Sequence, residues 1–217
     1  MNRTTKQQRY VYGWILAALV MGLAPMGIAS ALMPQTPMES VQSAIANVMR
    51  ILTDETLKQP ERQAERRRLI EQVVRQRVSY EDMARQALGH QWQDLTAGER
   101  QEFVDLFVQL LRDSIAGKID AYTDEHVVYL SEQMEDRIAQ VRTRLAGRKI
   151  DTLLDFRLAD RAGTWLVYDV VIDGASIVHS YRAQFAHIMR DMAYAGLVNK
   201  MRENTLLVKS FETVSSQ

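Results

Sequence analysis

Asp169 and Asp173 are the pair whose type and spacing come nearest to chemistry. Four apart in a segment of period two, they share one strand face, and two neighbouring carboxylates can divide the roles of acid and base. Asp173, however, stands beside Gly174, where an aspartate caps a helix or closes an Asx-turn, so a structural role is the stronger reading. His90, His126, His179 and His187 are scattered, and the last two lie two helical turns apart, too far to share a metal. The chain has no cysteine, which excludes a disulfide framework, a thiol nucleophile and a thiolate zinc cluster. Glycine-rich phosphate loops, a G-x-S-x-G elbow and an H-E-x-x-H pair are also missing from the sequence. The run Arg62, Arg66, Arg67, Arg68, Arg75 and Arg77 could grip phosphates. Glu61, Glu65 and Glu71 interleave with it, as on a solvated helix face; in an exported protein it would meet lipid phosphates or an acidic partner. No catalytic residue, metal or cofactor is predicted.

Composition narrows the remaining classes. The 217 residues carry 27 Lys+Arg against 27 Asp+Glu, with 47% hydrophobic and 25% charged residues, the profile of a globular chain. The neutrality hides an asymmetry: Arg3, Lys6 and Arg9 are the only charged residues before Glu39. Setting those three bases aside leaves 24 bases against 27 acids, a net of −3, which argues against a nucleic-acid binder. Met1–Arg9 is polar and basic, 10–28 is nearly all apolar, and Ala29-Ser30-Ala31 is a small-residue A-x-A site. That is the layout of a secretory signal peptide over residues 1–31. An uncleaved anchor competes, since about 20 apolar residues can span a bilayer, but Pro25 and the small-residue site favour cleavage. The expected product is one domain over 32–217, soluble in a bacterial periplasm.

The elements that would position any site follow from periodicity. Thr36-Pro37-Met38-Glu39 is a capping box opening a helix with the stripe Val41, Ile45, Val48 and Leu52. A second helix is expected from about Pro60 to Val78, with Leu69, Ile70, Val73 and Val74 inward. A short third helix runs from Ser79 to Gly89, and the longest runs from Thr96-x-x-Glu99 to about Lys118, with Phe103, Leu106, Phe107, Leu110, Leu111 and Ile115 on its stripe. The period then changes to two, predicting strands over 126–134, 138–145, 150–158 and 164–172, joined by short turns and therefore antiparallel. The fourth strand is apolar on both faces and is expected to be central. After Gly174 the helical period returns through Ile177, Tyr181, Phe185 and Ile188, with a last short helix near 197–201. Helices, a meander and helices make an α+β fold with a four-stranded antiparallel sheet. These stripes can be a filled core or the wall of a cavity; periodicity reads both alike.

One stretch resembles a known family. Residues 165–185, Trp-Leu-Val-Tyr-Asp-Val-Val-Ile-Asp-Gly-Ala-Ser-Ile-Val-His-Ser-Tyr-Arg-Ala-Gln-Phe, are similar to the W-x-V-Y-D-V-x-I-(E/D)-G-x-S-(L/I)-V-x-x-Y-R-x-x-F signature of MlaC-type proteins, also called the toluene-tolerance family. Met83-Ala84, Leu88-Gly89 and Trp92, then Arg100-Gln101 with Phe103 and Phe107, and Val141-Arg142-Thr143 stand in the family's order. Ser114-Ile115 stands where the family often has a tyrosine, and Ala175 replaces the usual valine of G-V-S. The resemblance implies a periplasmic phospholipid carrier, the soluble component of an ABC-transporter system that maintains outer-membrane lipid asymmetry. Its fold would be a curved sheet and helices enclosing an apolar pocket. It further implies an inner-membrane ABC transporter complex and an outer-membrane lipoprotein complex as partners, phospholipid as cargo and a monomeric carrier. A hopanoid-associated carrier of the same family and a non-carrying adaptor are the alternatives, with a small hydrolase behind them. Carriage needs no covalent step, since a phospholipid's ~30 chain methylenes, at about 0.8 kcal/mol each in water, need only an apolar wall. Candidate wall residues are Phe103, Phe107 and Leu110; Val141, Leu154, Phe156, Trp165 and Val167; and Tyr181, Phe185 and Met189, with Arg182 for the headgroup.

Overall fold

The structure, a computed structural model, describes residues 35–120, 126–147 and 151–203. The expected signal peptide and Ile150 lie outside them. Helix α1 (Pro37–Leu52) begins at the predicted capping box: the Glu39 N–H donates to Thr36 Oγ1 at 3.1 Å, and the Thr36 N–H donates to the Glu39 carboxylate at 2.8 Å. A 3₁₀ turn at Pro60–Arg62 leads into α2 (Gln63–Arg75), which stops short of the expected Val78. The reason is tertiary. The Val167 N–H donates to the Arg77 carbonyl at 2.8 Å and the Ser79 N–H to the Val167 carbonyl at 2.9 Å, so Val78 is drawn alongside Val167 as a parallel bridge. Ser79 then caps α3 (Tyr80–Leu88), which ends at Gly89 with φ 72°. Thr96 and Glu99 form the second capping box, opening α4 (Ala97–Asp120).

The sheet is antiparallel with strand order β1-β2-β3-β4-β5: His126–Glu135, Ile138–Ala146, Thr152–Arg161, Thr164–Ile172 and Ala175–Ser176. The fifth strand was not expected. Asp173 and Gly174 have φ of 48° and 88°, as a type I′ hairpin turn requires, so Asp-Gly closes a hairpin before the helix starts. Asp173 therefore caps no helix; its Oδ1 accepts from the Leu153 N–H of β3 at 2.8 Å. Nor is β4 central. Beyond it lies only the two-residue β5, and the Val78 bridge closes more of its edge.

A bulge also re-sorts the faces of β4. Arg157 pairs with Asp169 but Leu158 with Val167, leaving Tyr168 as the extra residue. Strict alternation would separate Val167 from Val170; the bulge places both, with Trp165 and Ile172, on the face of Phe156 and Leu158. Helix α5 (Ile177–Arg202) starts at Ser176, whose Oγ accepts from the His179 N–H, and breaks at Ala193 (φ 56°) before its last turns. Helices α3, α4 and α5 enclose one apolar core, while α1 covers the sheet around Val41, Val141, Leu158 and Val167. Among the described residues no helix is long and apolar enough to cross a membrane.

Candidate functional site: two apolar chambers

The expected aromatic wall is a packed core. Phe103, Phe107, Tyr181 and Phe185 are each 0% exposed. Their ring centroids lie 5.2–6.3 Å apart, mostly edge to face, the arrangement aromatic quadrupoles favour. Leu110 is buried in the same cluster and Met189 packs on its margin. Burial pushes the Tyr181 hydroxyl up to about 12. Ser114 Oγ donates to the Leu110 carbonyl at 2.7 Å, leaving it to accept from Tyr181 Oη at 2.9 Å. The serine thus completes a buried hydroxyl chain. Val141 is fully buried with Leu158 beneath α1, and Trp165 packs beside them. Arg182 is exposed and lies along Gly89, where a Cβ would meet its Nε at 3.3 Å.

Space opens instead on either side of the Arg77–Ser79 strap, where Val74 and Val78 meet Val167 and Val170. One chamber, about 280 Å³, lies between α1 and the sheet, lined by Val41, Ala44, Ile45, Val48 and Met49 of α1 and by Val127, Leu154, Phe156, Val167 and Val170. Among the described residues its polar lining is Ser40 and Arg77, and Ser40 Oγ already donates to the Trp165 carbonyl at 3.1 Å. The second, about 210 Å³, lies between α2, α3 and α4, against Ile70, Met83, Val108, Leu111 and again Val167 and Val170. Val74, Val78, Val167 and Val170 line both chambers and form the septum between them. Arg67, Glu71, Arg112 and Asp113 also border the second chamber; Arg67 is exposed and the Arg112 and Asp113 side chains are 50% and 39% exposed, which marks its mouth.

Of the expected wall, then, Leu154, Phe156 and Val167 line a chamber, and the others lie in the packed clusters around it. The α1 and α2 residues stand on predicted apolar stripes but outside the expected wall. A usable signal was side-chain size: Val41, Ala44, Ile45 and Val48 on α1 face a valine-rich strand, and short side chains on both sides leave volume unfilled.

The polar groups nearest to chemistry are engaged structurally. The Asp169 carboxylate accepts from Ser176 Oγ at 2.7 Å, Arg157 Nη1 at 3.1 Å and the Val178 N–H at 3.1 Å, tying β3, β4 and the start of α5 together. Asp82 accepts from Arg161 at 2.7 Å, Arg85 at 2.5 Å and Ser79 at 2.8 Å. Among the described residues, no group of three His, Cys, Asp or Glu side chains is placed to hold a metal ion.

Fold and chambers together define an α+β domain with an apolar interior space. Within that class the chain belongs to the MlaC family, described as MlaC protein, which matches it over residues 42–203. It is also similar to a phospholipid-binding protein from Ralstonia solanacearum whose structure holds a phospholipid. The TM-score is 0.70 at 24% identity, over 78% of this chain and 96% of that one, a likeness of fold. No curated protein matches the chain by sequence.

Proposed function

We propose that this chain is a periplasmic phospholipid carrier, exported by residues 1–31 and exchanging cargo between an inner-membrane ABC transporter and an outer-membrane lipoprotein complex, in traffic that maintains lipid asymmetry. The observation that carries the reading is the pair of apolar chambers meeting at a valine septum. A cavity of ~150 Å³ accepts the six carbons of benzene, or about 25 Å³ per carbon. On that scale the chambers of 280 and 210 Å³ take about eleven and about eight carbons. Two cavities of chain-end size suit a two-chain lipid with one chain in each. The relative from Ralstonia solanacearum, which holds a phospholipid in the same fold, supports this cargo class.

Native mass spectrometry of protein purified without detergent tests the proposal. The expected species is a chain beginning at Leu32 with one diacyl phospholipid bound. A hopanoid adduct would reassign the cargo, and persistent absence of any lipid, even after incubation with short-chain phospholipid, would leave an adaptor. Recovery of the intact chain in washed membranes would refute cleavage.

A further inference from the structure

We infer that α2 is a membrane-docking helix whose arginine face settles on anionic lipid headgroups and brings the chamber mouth to the bilayer. The inference rests on the carrier reading and adds to it a partner surface. Residues 60–78 hold six arginines against three glutamates, a local excess of three positive charges in a body whose net is −3; four of the arginines lie on α2, where Arg66 is buried. Of these, Arg67, Arg68 and Arg75 are exposed. The neighbouring acids temper the patch without cancelling it: Glu65 pairs with Arg62 at 2.7 Å, Glu71 with Arg75 at 2.9 Å, and Asp113 lies 3.5 Å from Arg112.

The position of this helix selects the partner. Arg67, Ile70, Glu71 and Val74 of α2 line the second chamber, and Val74 also lines the first, so the basic helix is itself a wall of the apolar space. An acidic protein could meet the same charges. A lipid surface meets them and also supplies what the adjoining chamber would hold. Cationic side chains near an anionic leaflet each strengthen attachment about fivefold, and salt screens the effect. With half the arginines offset by glutamates, attachment is weak and reversible, as exchange between two membranes requires.

The test is flotation with vesicles of phosphatidylcholine alone and vesicles containing about one-third phosphatidylglycerol, at low and high salt. It compares wild type with Arg68→Gln/Arg75→Gln, neither residue lining a chamber. Wild type is expected on the phosphatidylglycerol vesicles only, released by salt, and the double variant to bind them about 25-fold more weakly, from two charges at fivefold each. Uptake of monomeric short-chain phosphatidylcholine, followed by native mass spectrometry, should be equal in the two proteins. Equal flotation of both proteins overturns docking through the α2 arginines and moves the membrane contact elsewhere, and no flotation with either vesicle overturns it in favour of an acidic protein partner. If instead wild type takes up no monomeric lipid, the carrier reading fails, while flotation still reports on the surface.

Discussion

Asp169 is 2% exposed, and its carboxylate accepts three hydrogen bonds, one from the backbone of α5. An amide in its place keeps one acceptor oxygen and loses the charge that Arg157 meets. Asp169→Asn is therefore expected to cost about 1–3 kcal/mol of stability, read as a lowered thermal midpoint, with lipid uptake within a few-fold of wild type. Asp82 carries a pH dependence. Burial alone would raise its carboxyl, but the bonds from Arg161, Ser79 and Arg85 outweigh that and hold it below the ordinary aspartate value. A carboxyl lowered on folding contributes stability that is present above its unfolded value and lost as pH falls through its folded one. Thermal midpoints measured from pH 7 to pH 3 should therefore fall more for wild type than for Asp82→Asn, the two curves converging below about pH 4. Parallel curves would assign no linkage to this carboxylate.

Helix α4 and strand β3 show how neighbouring elements divide core from chamber. Phe107 of α4 is fully enclosed by Phe103, Tyr181 and Phe185, so Phe107→Ala should cost about 3–5 kcal/mol. Leu154 of β3 borders the 280 Å³ chamber. Leu154→Trp has room to extend, and its delipidated form should melt within about 1 kcal/mol of wild type, below the ~1–3 kcal/mol of overpacking a filled core. The same variant should retain little bound lipid by mass spectrometry. A Leu154→Trp protein that melts far lower would make β3 part of the packed core. Much of the element pattern could be read in advance, because a capping box such as Thr36/Glu39 is satisfied within four residues and announces itself locally. The C-terminal end of α2 and the faces of β4 could not, because they depend on where Val167 lies relative to Val78 and to Leu158.

At the scale of the whole molecule, cargo that binds only the folded state must stabilise it. At a lipid concentration about one hundred times Kd the gain is about 2.7 kcal/mol. For a domain of this size that raises the thermal midpoint by roughly 5–11 °C. Reloading a delipidated sample with short-chain phospholipid and repeating the melt measures it, and an unchanged midpoint would mean that the folded protein takes up no such lipid. The arginines of α2 belong to this scale as well, since their effect depends on local excess charge in an acidic body rather than on any one contact.

Caps, periods and turn residues act over a few positions, so the sequence by itself determined the α+β order, the capping boxes of α1 and α4, the span of β4 and the resemblance to the MlaC family through residues 165–185. It also held the Asp173-Gly174 hairpin signal, which was overshadowed by the helix that follows two residues later. Which apolar stripe is core and which is chamber wall was decided only by the tertiary structure. A Phe and a Val mark the same helix face, but four aromatic side chains converging from α4 and α5 fill their space, whereas the shorter aliphatic side chains facing across α1, α2 and β4 leave gaps beside their contacts. Volume left over is a property of the sum of opposing side chains, and that sum exists only once the chain has brought Val78 beside Val167.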